Sequence, residues 1–253
     1  MKFLSEIRTS INEKPFWLFM FTVWFVWFPL FSLNGSVMDE YFLPTLLLLL
    51  LGAVSTHIVS TCGVGTKTIL FGFHNPVIHT FFIFIAWWKL YGFPRDPRLW
   101  VVFALHDIGY FGLSTVEGER GDRHPFFGAR IVHLLFDRWN TNCGVEGDKW
   151  WRLSLLHSRT IARELGQHPS ALCAADKLAF VITPKWIYLL QTWASGELDE
   201  LMTECNRKDA KEEHALVGSV SSVQDLYEKA TGAARKFAES DAEAAYQRWE
   251  EET

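Results

Sequence analysis

Six ionisable residues recur in order along segments that are otherwise apolar. His79 lies in NPVIHTFFIFIAWWKL, His106 and Asp107 end WVVFALHDIG, His124 opens HPFFGARIV, His157 sits in LLHSR and Asp176 in ALCAADKLAF. The apolar residues follow a helical rather than an alternating pattern, which predicts an all-α chain with these groups carried on separate helices. The spacing predicts helices over about 75–91 and 97–107, then a polar loop, then three or four more. The Gly-Phe-Pro-Arg-Asp-Pro segment at 92–97 separates the first two, and Gly166 with Pro169 closes the helix that begins near His157. Short connections of this kind imply a compact bundle. The segment around His79 is apolar on nearly every face, as expected for a core helix close to a membrane surface.

The first 65 residues differ from the rest. No charged residue occurs from Pro15 to Met38, and after Asp39 and Glu40 the run YFLPTLLLLLLGAVSTHIVST is again uncharged. Two runs near the roughly 20 residues needed to cross a bilayer predict a transmembrane helical hairpin turning at the acidic pair. Lys2, Arg8, Lys14 and Lys67 then place both ends, and the domain that follows, on the cytoplasmic side. The alternative is that these runs are buried helices or an oligomer interface. The chain therefore reads as a membrane anchor (1–65), a helical domain (66–200) and a charged helical segment (201–253). In the last of these, Val223, Leu226, Tyr227, Ala230, Ala234 and Phe237 form one face of an amphipathic helix packed on the domain or on a partner.

The 12 Trp and 21 Phe suit a chain partly in lipid. The net charge of −5 is concentrated in the stretch from Glu197 to Thr253. The remainder is slightly basic without any basic stripe, so no nucleic-acid polymer is expected as a partner. Cys62, Cys143, Cys173 and Cys205 form no CxxC pair, which points to a reducing compartment.

Imidazole and carboxylate at an adjacent His106-Asp107 pair suit divalent iron, manganese, zinc or cobalt, provided that the helix end is distorted enough to turn both side chains inward. The ordered segments ALHDIGYFG, HPFFGARIV, LLHSR and ALCAADKLAF resemble those of the HD-domain superfamily of metal-dependent phosphohydrolases, over about Asn75 to Thr183. The resemblance implies an HD-type helical bundle in which His79, His106, Asp107 and Asp176 hold one metal, while His124 and His157 join a bridging Asp107 around a second. It also implies hydrolysis through metal activation of water, with Asp107 orienting the nucleophile.

Two departures narrow this. Tyr110 stands where many members carry a Lys after His-Asp-x-Gly, so Arg159 and Lys177 are the candidate phosphate-binding cations. No Gly-Tyr-Pro sequence follows His157, which separates the chain from the cyclic di-GMP subgroup. Glu117, Glu119 and Asp122 read as solvated loop acids, and His57, His74, His133, His168 and His214 are given no role. The expected function is a membrane-tethered phosphohydrolase acting on a nucleotide, a cyclic nucleotide or a membrane-associated phosphate ester, with a phosphorylated small molecule or lipid as its partner and a homo-oligomer left open. The alternatives are a non-catalytic regulatory HD module and a diiron oxygenase.

Overall fold

The computed structural model describes residues 61–138, 148–207 and 217–251. Among them every regular element is a helix, as the sequence pattern predicts. The expected membrane location is corrected: among the described residues no helix is long and apolar enough to cross a membrane. The hairpin expected from the two uncharged runs lies outside the described residues, as do His57, Cys143 and His214.

The unit from Gly63 onward is built around one central helix. The chain forms α1 (Val64–Leu70), α2 (Ile78–Tyr91) and α3 (Pro97–Leu105), then a 3-10 turn over Ile108–Tyr110 and the short α4 (Gly118–Asp122). There follow α5 (His124–Val132), which runs into a π-helical turn over His133–Asp137, then α6 (Lys149–Leu155) and α7 (Arg159–Glu164). The remainder is α8 (Ala171–Ile182), α9 (Lys185–Ser195), α10 (Glu197–Cys205) and the long α11 (Val223–Glu251). The polar loop thus contains a one-turn helix. The later part has more helices than the pattern predicts because it breaks at Leu156–Ser158, at Thr183–Pro184 and at Gly196, where φ is +95°.

The caps explain several boundaries. Asp96 accepts a bond from the Arg98 amide at 2.9 Å with Pro97 in the first turn, so α3 starts where Pro is tolerated and the first amides are satisfied. Asp137 accepts the amides of Trp150 and Trp151 and so secures the start of α6.

Helix α8 is buried between α2 and α11. Its Ala171, Ala175 and Ala179 allow close approach, and α11 answers with Ala234, Ala238, Ala242 and Ala245 at helical spacing. Trp87, Leu99, Val102, Phe103, Leu153 and Leu172 fill the core between them. Only part of α2 is covered: Ile83, Ala86 and Trp87 are buried, whereas Phe81 and Trp88 are exposed. At roughly 2 kcal/mol for each fully buried large side chain, this core holds α2, α3 and α8 in fixed register. Those three helices carry His79, His106 with Asp107, and Asp176.

Candidate metal centre

Helix α3 ends at Leu105, and the chain tightens into the 3-10 turn immediately after Asp107, whose φ and ψ are −97° and −1°. This change of helix type turns two adjacent side chains toward one point. His106 Nε2 lies 2.9 Å from Asp107 Oδ2. On the same side, His79 Nε2 from α2 lies 3.5 Å from Asp107 Oδ2 and 3.0 Å from Asp176 Oδ1 of α8. On the other side, His124 Nε2 from the start of α5 and His157 Nε2 from the α6–α7 junction lie 3.1 and 3.2 Å from Asp107 Oδ1.

The structure therefore gathers all six residues expected as ligands into two buried groups that share Asp107: His79, His106, Asp107 and Asp176, and Asp107, His124 and His157. These groups could hold a metal ion. Arg159 and Lys177 line the same cavity, with Lys177 Nζ 3.0 Å from Asp176 Oδ2 and the Arg159 guanidinium over the Phe237 ring.

Backbone carbonyls fix three of the imidazoles. His106 Nδ1 is 2.9 Å from Phe103 O, His124 Nδ1 is 2.6 Å from Gly121 O, and His157 Nδ1 bonds to Ser154 O. In each case the partner is three residues earlier, so the neutral ring carries its proton on Nδ1 and turns the Nε2 lone pair to the centre. His124 Nε2 and His157 Nε2 then face each other at 3.2 Å with no proton between them, an arrangement that repels unless a cation is shared. His106 Nε2 and Asp107 Oδ2 are buried with no hydrogen-bond partner outside the cluster, as metal ligands would be. The donor set of imidazole nitrogens and carboxylate oxygens matches the chemistry of iron, manganese, zinc or cobalt.

Electrostatics favour the same conclusion. Burial opposes the charged form of Asp107, but His106, His74 and His124 outweigh it and hold the carboxyl well below its usual range. Burial likewise opposes ionised Asp176, and Lys177 and His79 overcome it. Burial lowers His79, and brings His124 down to about 4. His106 is raised, because Asp107 overrides its burial, so without a metal a proton on His106 serves as the compensating cation. A metal must displace that proton. Affinity is accordingly expected to fall as pH drops below the raised pKa of His106, with proton release on binding, while His124 competes only near pH 4. Calorimetry in buffers of different ionisation enthalpy reads the released proton, and pH-independent affinity would contradict the assignment.

Two motif glycines have a packing reason. A Cβ on Gly109 would meet His124 O at 2.0 Å, and one on Gly128 would meet Leu105 O at 2.4 Å and His106 O at 2.7 Å. The glycines of ALHDIG and HPFFG thus let the two ligand-bearing segments touch backbone to backbone. Gly128→Ala is expected to cost about 2 kcal/mol through forced separation of α3 and α5. Gly232→Ala, in α11 with nothing near its Cβ, should instead stabilise by about 1 kcal/mol. Thermal unfolding of the two variants checks the opposite signs.

Tyr110 does not supply a cation. It stacks on the His124 ring with centroids 3.8 Å apart, and burial, Asp107 and Glu117 push its phenol well above the usual range. A neighbouring cation comes instead from a residue to which the sequence alone assigns no role. His74 lines the cavity, and its Nδ1 lies 2.9 Å from Thr68 Oγ1 and 3.3 Å from Glu197 Oε2. Glu197 is buried and accepts bonds from the Phe73 amide at 3.0 Å and the Ser195 hydroxyl at 2.6 Å. Burial alone would keep His74 neutral, but Asp107 and Glu197 raise it to about 9. The only local hint is its place five residues before His79; Glu197 lies more than a hundred residues further on.

Of the loop acids, Glu117 and Asp122 line the cavity, whereas Glu119 is exposed. His133 lies 3.2 Å from Asp148 and 3.8 Å from Asp137, apart from the main centre. No protein-family model, curated protein or solved structure matches the chain.

Proposed function

We propose that this protein is an HD-type metal-dependent phosphohydrolase that cleaves a phosphoester at the Asp107 centre. The observation that carries the reading is the pair of ligand groups meeting on one carboxylate, with the Nε2 lone pairs of His106, His124 and His157 converging on it. Bound there, one or two divalent cations would lower the pKa of water and neutralise charge on phosphoryl oxygens.

The chain's own residues complete the chemistry. Asp107 places one carboxylate oxygen toward each ligand group, while His79 and Asp176 close the first and His124 and His157 the second. Lys177 and Arg159 bring positive charge to the cavity wall, where phosphoryl oxygens would sit, and stand in for the lysine absent at position 110. His74, held by Glu197, is the group placed to give a proton to the departing ester oxygen. The stacked Tyr110 holds the orientation of the His124 ring.

The test is release of phosphate or of a phosphomonoester from a panel of phosphoesters by protein loaded with each of iron, manganese, zinc and cobalt. Turnover with at least one metal, lost on chelation and restored by that metal, supports the reading. Tight metal binding with an inert panel would overturn it, and oxygen uptake by the iron form would point to the diiron alternative.

A further inference from the structure

The cavity beside Asp107 has a volume of about 250 Å³ and is lined by two chemically unlike sets of side chains. Asp107, Asp176, His74, Arg159 and Lys177 form the ionic set. From there it runs between α8, α10 and α11, where Phe180, Leu201, Cys205, Leu226 and Ala230 form the wall. Cys205 and Leu226 belong to a hydrophobic cluster with Leu198 and Val220 that is separate from the main core.

Among the described residues, two polar side chains near this wall, Thr192 and Glu197, are already engaged within the protein. The Thr192 hydroxyl donates to Tyr188 O at 2.8 Å. Glu197 Oε1 accepts from the Phe73 amide and the Ser195 hydroxyl, and Oε2 faces His74. Reading a nucleobase requires donors and acceptors for its edge. Phe180, Leu201, Cys205, Leu226 and Ala230 offer packing instead, and an apolar wall beside a set of ionic groups suits an amphiphile.

Resting on the phosphohydrolase reading, we infer that the substrate is a phosphate ester of a hydrocarbon alcohol, bound with its phosphate at the Asp107 centre and its chain between α8, α10 and α11. Hydrolysis breaks the phosphoryl–oxygen bond: the OH of water goes to phosphorus while its other proton is released to solvent, the alcohol leaves with a proton given by His74, and His74 regains its proton from solvent.

The probes are methyl-, butyl- and octylphosphonate, which carry the same head and cannot be hydrolysed, titrated by calorimetry into the metal-loaded full chain. Affinity is expected to rise about fourfold for each methylene buried, until the cavity is filled. In Ala230→Trp, where an indole occupies the end of the cavity, the octyl-to-methyl ratio should collapse toward one. Circular dichroism confirms that this variant is folded, and the milder Ala230→Leu should give an intermediate ratio. A second arm compares turnover of octyl phosphate and adenosine monophosphate, with octyl phosphate expected to be preferred.

Affinity independent of chain length, or a preference for the nucleotide, would overturn the inference and leave the phosphohydrolase reading intact. Chain-length-dependent phosphonate binding without turnover of any ester would sustain the pocket assignment and overturn the hydrolase reading.

Discussion

Asp107→Ala is expected to abolish metal binding and to lower phosphoester turnover by about 10⁴-fold or more, the scale of a lost Lewis-acid contribution of several kcal/mol. The size of the effect follows from position. One carboxylate lies within 3.5 Å of His79, 2.9 Å of His106, 3.1 Å of His124 and 3.2 Å of His157, so its removal takes an anion from both ligand groups at once. Each remaining histidine still has its Nδ1 fixed by a backbone carbonyl or its place set by α2, so the fold should survive. Asp107→Asn separates charge from shape: it keeps the volume, removes the anion, and should lose nearly as much. Metal content, turnover and circular dichroism on the two variants check this. Retained turnover in Asp107→Ala would remove the carboxylate from the mechanism.

The second large effect concerns His74. His74→Gln is expected to lower kcat by roughly 10²- to 10³-fold on esters with poor leaving groups, as for loss of a general acid, and much less on p-nitrophenyl esters that need no proton. The sign of the pH dependence follows from the raised pKa. A group that must be protonated supports activity at low pH and loses it as pH rises through its own pKa, which is about 9 while Asp107 is uncompensated. Cations at Asp107 weaken that contribution and leave Glu197 to sustain the rest, so the alkaline limb should fall between 6.5 and about 9. Glu197→Gln should move the limb to lower pH, and His74→Gln should remove it. An alkaline limb unchanged in both variants would exclude His74 as the acid.

Much of this site is legible in the sequence because its ligands stand in short local segments with fixed order. The doublet at the end of WVVFALHDIG, the His-Pro that opens α5 and the Asp within ALCAADKLAF each lie where a helix begins, ends or passes through the core. The glycines of two motifs are visible as residues, but their reason is not, since the contacts of Gly109 with His124 O and of Gly128 with His106 O join different segments. His74 is illegible on the same ground. Its role depends on Thr68 from α1 and Glu197 from α10, and no spacing along the chain relates those positions.

The helical class follows from periodicity, whereas the division of the later half does not. Breaks at Ser158, Pro184 and Gly196 depend on capping and on a left-handed glycine, within a pattern that is nearly continuous. The expectation of a membrane location comes from composition and from two apolar runs. Among the described residues no helix meets the length and apolarity that crossing a bilayer requires.

The central feature of the molecule is a pair of buried His/Asp groups, joined by Asp107, that could hold metal. Elemental analysis of the metal-loaded protein, alongside His157→Ala, measures it most directly. Two metal ions per chain, falling to one when His157 is replaced, is the predicted result; metal content unaffected by His157, or no bound metal under saturating conditions, would contradict it.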